Sequence, residues 1–175
     1  MPILIALVAA IGGALFWYYR IRMTANAASD LADMASDVIG AARRFGFRRR
    51  AGVHPVESIE DERLAAGALS VAFLNLGARQ TDEDRGRRLR AMQSHLQMSK
   101  TEAEEVLILG QWLVNECHGA SAAVERIGKK LMRLAGSDAL DHPLLVVKDV
   151  AGEMGGLTDA QRDALHDLKN IFRRR

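Results

Sequence analysis

The sequence contains a single cysteine, Cys117, among 175 residues, which excludes an internal disulfide and suits a reducing compartment. It also lacks the short patterns that carry common chemistries. No HExxH, paired CxxC, phosphate-cradling GxxxxGKS/T or GxSxG occurs, so zinc hydrolysis, phosphate-loop and serine-nucleophile chemistry are without their usual residues. Glu116, Cys117 and His118 are adjacent, but neighbouring residues on a helix point about 100° apart and do not readily share one centre. Cys117 is expected at a helix end, half buried in the core. His95, His142 and His166 are scattered without ligand spacing and are expected at the surface or satisfied inside. The expectation is a protein that is not an enzyme and has no resident cofactor.

Charge is missing from the start of the chain. Residues 1–19, MPILIALVAAIGGALFWYY, have no charged side chain, and Arg20 and Arg22 follow at once. A helix rising about 1.5 Å per residue covers roughly 28 Å over this run, close to the roughly 30 Å hydrocarbon core of a bilayer. Trp17, Tyr18 and Tyr19 sit where amphipathic rings prefer the headgroup layer, and the arginines beyond them favour the cytoplasmic side. A cleavable signal would place its positive charge before the apolar run and small residues after it. The order here predicts an uncleaved transmembrane signal-anchor over 1–22, in a bacterial inner membrane, with the N-terminus outside and the rest cytoplasmic. Gly12 and Gly13 read either as ordinary transmembrane glycines or as a place where a second helix could approach.

The net charge of +2 conceals an asymmetry. Residues 1–50 hold seven arginines and three aspartates, +4, whereas residues 51–175 hold 17 basic and 19 acidic residues, −2. The basic balance thus belongs to the membrane junction, and a nucleic-acid partner is not expected. Within residues 23–57, Leu31, Met34, Val38, Ile39, Ala42 and Phe45 recur at helical spacing, with Asp30, Asp33 and Asp37 on the other side. This amphipathic stretch closes in Arg43, Arg44, Arg48, Arg49 and Arg50, interleaved with Phe45 and Phe47. Each cation near an anionic leaflet contributes about 1 kcal/mol. The cluster is expected either to dock on lipid, with both phenylalanines inserted, or to be a solvated linker that reinforces topology. Gly52 and Pro55, in a stretch without periodicity, mark the boundary of a domain over 58–172, followed by a basic tail at 173–175.

No long run alternates with period two, so the domain is expected to be all-α. Four pairs read as helix starts, a hydroxyl followed three residues later by a carboxylate or amide: Ser58 with Asp61, Thr81 with Asp84, Ser99 with Glu102, and Thr158 with Gln161. Apolar spacing of three and four follows each. Leu64, Ala65, Ala68, Leu69, Ala72, Phe73 and Leu76 mark the first helix, and Leu89, Met92 and Leu96 the second. Ala103, Val106, Leu107, Gly110, Leu113 and Val114 mark the third, with Trp112 near the seam. A fourth helix is predicted from Ser121 to Leu134 with Gly136 ending it, and a fifth with Pro143 in its first turn. Leu165, Leu168 and Phe172 mark the sixth. Short connections imply a compact bundle of about six to seven helices. Glu102, Glu104, Glu105, Asp82 and Glu83 suit helix N-termini, and Arg85, Arg87, Arg88 and Arg90 are expected on a solvated face.

TDEDR at 81–85 and TDAQR at 158–162 echo one another, each opening a helix after one rich in Ala, Val and Leu. At this echo the chain resembles the TerB-like family, the small helical domain named for tellurite-resistance proteins and also found behind the membrane anchor of DjlA-type co-chaperones. The resemblance covers about 58–172. It implies a helix ending in Asp-Gly, a short step, and a Ser or Thr cap before the next helix, occurring twice. LNLGARQTDED (74–84) and AGEMGGLTDAQ (151–161) would be the two copies, matched at Thr81, Thr158 and Gly155. Gly77 and Met154 stand where the resemblance implies the acids suited to a divalent cation, so each half has lost an oxygen ligand. No J domain follows, so direct stimulation of an Hsp70 does not carry over.

The function expected is that of a single-pass inner-membrane protein presenting a cytoplasmic TerB-like interaction or scaffold module, linked through the resemblance to membrane stress. Its interface with the membrane would be Trp17, Tyr18, Tyr19, Arg20, Arg22, Arg43, Arg44, Phe45, Phe47, Arg48, Arg49 and Arg50, and its partners membrane lipid and a protein segment. An alternative is a divalent-metal-binding or metal-sensing domain using Asp82, Asp84, Glu153 and Asp159. A third is a purely structural membrane assembly factor.

Overall fold

The computed structural model describes residue 40 and residues 45–48, 50–77, 81–153 and 155–173. The expected anchor, with its aromatic and arginine flank, lies outside the described residues. Among the described residues no helix is long and apolar enough to cross a membrane, and there is no β-strand. The described residues form six α-helices: α1 (Glu62–Leu74), α2 (Asp82–His95), α3 (Lys100–Glu116), α4 (Ala120–Ala135), α5 (Asp141–Glu153) and α6 (Asp159–Arg173). Short 3-10 turns at Pro55–Ser58 and Ser137–Leu140 precede α1 and α5.

The bundle is organised around α1. Every residue from Leu64 to Leu74 is buried, so the helix has no polar face, as expected of one enclosed by neighbours. It packs on α3, α4 and α5, while α2 lies against α3 and α5, and α6 against α4. Close approach between α1 and α3 depends on glycine on both sides. A Cβ added at Gly67 would run into Cγ1 of Val106 on α3, and one added at Gly110 would stand 3.1 Å from Val71 Cβ and 3.3 Å from the Ala68 Cα. Val106 and Val71 are β-branched and stiff at χ1, so neither can swing aside cheaply. The one hydroxyl in the middle of α1, Ser70, donates back to the Ala66 carbonyl at 3.0 Å and lies 3.4 Å from the Pro143 carbonyl at the start of α5.

Local signals set the helix ends. Thr81 and Asp84 form a reciprocal capping box at α2, as do Ser99 and Glu102 at α3. At α6 the Thr158 amide donates to Gln161 Oε1 at 3.0 Å and the Gln161 amide to Thr158 Oγ1 at 3.3 Å. The α4 helix ends at Gly136, whose φ of +81° suits a residue without a Cβ. The expected cap at Ser58 is displaced. Asp61 itself caps α1, accepting from the Arg63 and Leu64 amides at 2.8 and 3.0 Å. Ser58 instead closes the 3-10 turn that Pro55 opens, with His54 Nδ1 accepting from the Val56 amide.

The packed unit also begins earlier than residue 58. Phe45, Phe47, Val56 and Ile59 all belong to the buried core, and Phe47 meets Trp112 of α3 edge to face, centroids 5.8 Å apart at 81°. Phe45 and Phe47, expected either in lipid or on a solvated linker, are buried in the bundle. Their place within an arginine cluster suggested a membrane face, but Trp112 gives the Phe47 ring an edge-to-face partner and Phe45 joins the same core.

The α1–α3 crossing yields a paired expectation. Gly67→Ala should lower stability by about 1–3 kcal/mol through overpacking against Val106. Gly86→Ala, where the added Cβ meets only the flexible tip of Arg90 at 3.4 Å, should raise it by about 0.5–1 kcal/mol through helix propensity. Urea denaturation of the two variants beside the parent chain measures both signs.

Candidate functional site

The C-terminal end of α1 is closed by its own chain, the amides of Asn75, Leu76 and Gly77 donating to the Val71, Phe73 and Leu74 carbonyls, and side chains from three other helices converge there. Gln161 of α6, buried, directs its Nε2 at the Phe73 carbonyl at 3.4 Å. Arg88 of α2, only 3% exposed, donates from Nη1 to Asn75 Oδ1 at 3.1 Å. Asn75 in turn donates to Gln111 of α3 at 2.9 Å. The cap residues of the two echoing segments, Asp84 and Gln161, are both buried. A buried cation is costly unless answered. Burial pulls the Arg88 guanidinium down to about 10, against an upward pull from Asp84, so it stays charged at neutral pH. Asp84 is held below the usual carboxylate range by the Thr81 amide and hydroxyl, and further by Arg87 and Arg88.

Arg88 was expected on a solvated face and is instead a core residue. The signal that identifies it is register. Asp84, Arg88, Ala91 and Met92 stand at i, i+4, i+7 and i+8, one face of α2, and all four are buried. Charge masked a position that periodicity places inside.

At the other end of α1 lies a cleft of about 430 Å³. Its apolar lining is Ala66 of α1, Leu96 after α2, Leu131 and Ala135 of α4, and Ala139 of the turn before α5, and its polar lining is Glu62, Arg63, His95, Gln97, Asp138 and His142. The volume falls within the range of small-ligand and side-chain pockets. Gln97, at φ +52°, holds a left-handed conformation on its wall, which costs a residue with a Cβ roughly 1–2 kcal/mol. His95 is fixed by Asp149 of α5, its Nε2 donating at 2.7 Å, so one wall of the cleft is braced from behind. An apolar floor with a mixed-charge rim can accept an apolar side chain and orient the polar groups around it. No family model matches the chain, and no curated protein or solved structure matches it either.

The residues expected at the membrane divide into three groups. Trp17, Tyr18, Tyr19, Arg20, Arg22, Arg43, Arg44 and Arg49 lie outside the described residues. Phe45 and Phe47 are in the core. Arg48 and Arg50 are exposed, and Arg50 pairs with Glu60. Of the alternative metal set, Asp82 is exposed, Asp159 pairs with Arg162, and Asp84 is engaged by Thr81 and Arg87; the side chain of Glu153 lies outside the described residues. Among the described residues no three His, Cys, Asp or Glu side chains are grouped as a metal ion requires. Cys117 caps the end of α3, where burial pushes its thiol up.

Two consequences follow for stability. Arg88→Ala should destabilise by about 1–3 kcal/mol, because Asn75 Oδ1 loses its charged donor, while Arg90→Ala on the exposed side should change it by less than about 0.5 kcal/mol; thermal melts compare them. The carboxyls of Asp84 and Glu102 are both lowered, Glu102 by the Ser99 amide and hydroxyl first and Arg63 after. Their stabilising effect is therefore complete above the unfolded carboxylate value, about 4, and is lost as pH falls through their lower folded values. Asp84→Asn should lower the melting temperature at pH 7, and the gap to the parent should narrow as pH is taken from 5 to 2.

Proposed function

We propose that the chain is a membrane-tethered helical interaction module of TerB-like kind, held at a bacterial inner membrane with its bundle on the cytoplasmic side. The observation that carries the tether is the charge-free run 1–19 followed by Arg20 and Arg22. Supporting the module is the cleft at the N-terminal end of α1, whose Ala66, Leu131, Ala135 and Ala139 suit a short apolar segment of a partner. Supporting the family is the twofold pattern of Thr-capped helices, whose third cap residues, Asp84 and Gln161, are both buried. The mechanism is recruitment: the anchor confines the bundle to the membrane surface, and the cleft holds a partner there without chemistry being done on it.

Fractionation of cells expressing the full-length chain tests the tether. The protein should stay with the membrane pellet through washes in 1 M salt and in alkaline carbonate, and detergent should release it. Recovery in the soluble fraction after the salt wash alone would remove the anchor and the proposal with it.

A further inference from the structure

The outer face of α4 is charged predominantly with one sign. Arg126, Lys129, Lys130 and Arg133 stand at i, i+3, i+4 and i+7, a single stripe, and Glu125 is the only acid in the helix. Arg126, Lys129 and Arg133 are exposed and Lys130 is half-buried. The opposite face, Ala123, Val124, Ile127, Gly128 and Leu131, is buried. Two carboxylates answer the stripe. Glu125 takes Lys129 at 2.5 Å and Glu57 takes Arg133 at 2.5 Å. Lys130 donates to the neutral carbonyl of Glu57, at 2.9 Å, so the four cations outnumber the two carboxylates paired with them.

That excess is segregated. Residues 51–175 carry −2 in total although α4, with four cations and one acid, contributes +3. Arginines also precede the bundle. The 3-10 turn Pro55–Ser58 packs on α4, Arg50 pairs with Glu60 just beyond that turn, and Arg48 is exposed. A solvated helix face in an acidic domain would carry mixed signs, as α6 does with Asp159, Arg162, Asp163, Asp167 and Lys169.

We propose that the α4 stripe is a docking face for the anionic headgroups of a lipid bilayer. This rests on the tether proposed above, which keeps the bundle beside such a surface. The surface it complements is negative and extended, as the stripe is positive and linear. Each cation near an anionic leaflet multiplies the bound population by about fivefold, and the attraction fades within a Debye length of roughly 8–10 Å. The tether limits where the bundle goes, and the stripe selects which side it turns to the lipid.

The test uses the full-length chain in vesicles of phosphatidylcholine alone or with 30% phosphatidylglycerol, with a fluorophore on Ala122→Cys, exposed at the start of the stripe, or on Ser94→Cys, exposed on α2, which lies against α3 and α5. Cys117 is buried, and the parent chain carried through the same labelling is the blank. Nitroxide on the lipid headgroups should quench the label at 122 at least twofold more than that at 94 in anionic vesicles. The difference should vanish in phosphatidylcholine, in 0.5 M salt, and in the Arg126→Glu, Lys129→Glu variant. Equal quenching at 122 and 94, or quenching at 122 that ignores lipid charge, would overturn the face while leaving the tether standing. Failure to co-float with either vesicle would overturn the tether and the face together. Duplex DNA bound through the same stripe, with no preferential quenching by anionic lipid, would assign it to another polyanion and overturn the proposal.

Discussion

Burial of α1 on all sides is the constraint from which the remaining architecture follows. A helix with an apolar stripe needs one neighbour, whereas one whose residues from Leu64 to Leu74 are all buried needs to be surrounded. With α3, α4 and α5 packed on it, the helix axes have to come close, and glycine at 67 and 110 is the sequence's means of letting α3 do so. The same enclosure extends to the helix end, where the amides of Asn75, Leu76 and Gly77 take the carbonyls that water would satisfy on a surface helix. Gln161 of α6 adds a donor to the Phe73 carbonyl, while Arg88 of α2, Asn75 after α1 and Gln111 of α3 bond to one another through their side chains. This polar junction ties the helices together at one end.

This explains which parts of the fold were legible in the sequence. Capping is local, so Thr81 with Asp84, Ser99 with Glu102 and Thr158 with Gln161 could be recognised from spacing alone, as could Gly136 ending α4. Ser58 with Asp61 fits the same pattern yet does not cap, because Pro55 draws Ser58 into a turn and leaves Asp61 nearer the helix. Spacing also picked out Leu64, Ala68, Leu69 and Phe73 of α1 but passed over Ala66, Gly67, Ser70 and Val71. Periodicity reports one face, and burial of the other is decided by neighbours distant in the chain.

The functional surfaces were less legible for the same reason. The cleft draws on Ala66, Leu96, Leu131 and Ala139, four segments that no local pattern connects. Arg88 was concealed by its charge, although its register with Asp84, Ala91 and Met92 places it inside. Phe45 and Phe47 were misplaced by their company: within an arginine cluster they resemble membrane wedges, but Trp112 gives the ring of Phe47 an edge-to-face partner in the bundle. The arginines around them lose that apolar assistance, so any lipid contact of this stretch has to be electrostatic and sensitive to salt.

That requirement bears on how the two proposed surfaces are arranged on α4. At 100° per residue, Arg126, Lys129, Lys130 and Arg133 centre on one side of the helix, and Leu131 and Ala135, which line the cleft, lie across the axis from them, roughly 150–170° away. The helix cannot rotate to change this, because Val124, Ile127 and Leu131 are committed to the core. A bundle lying with its basic stripe on a negative surface would thus carry the cleft on the side turned from the lipid. Hydrophobic burial, acting through a single amphipathic helix, would then fix both which face meets the membrane and which remains open to a partner.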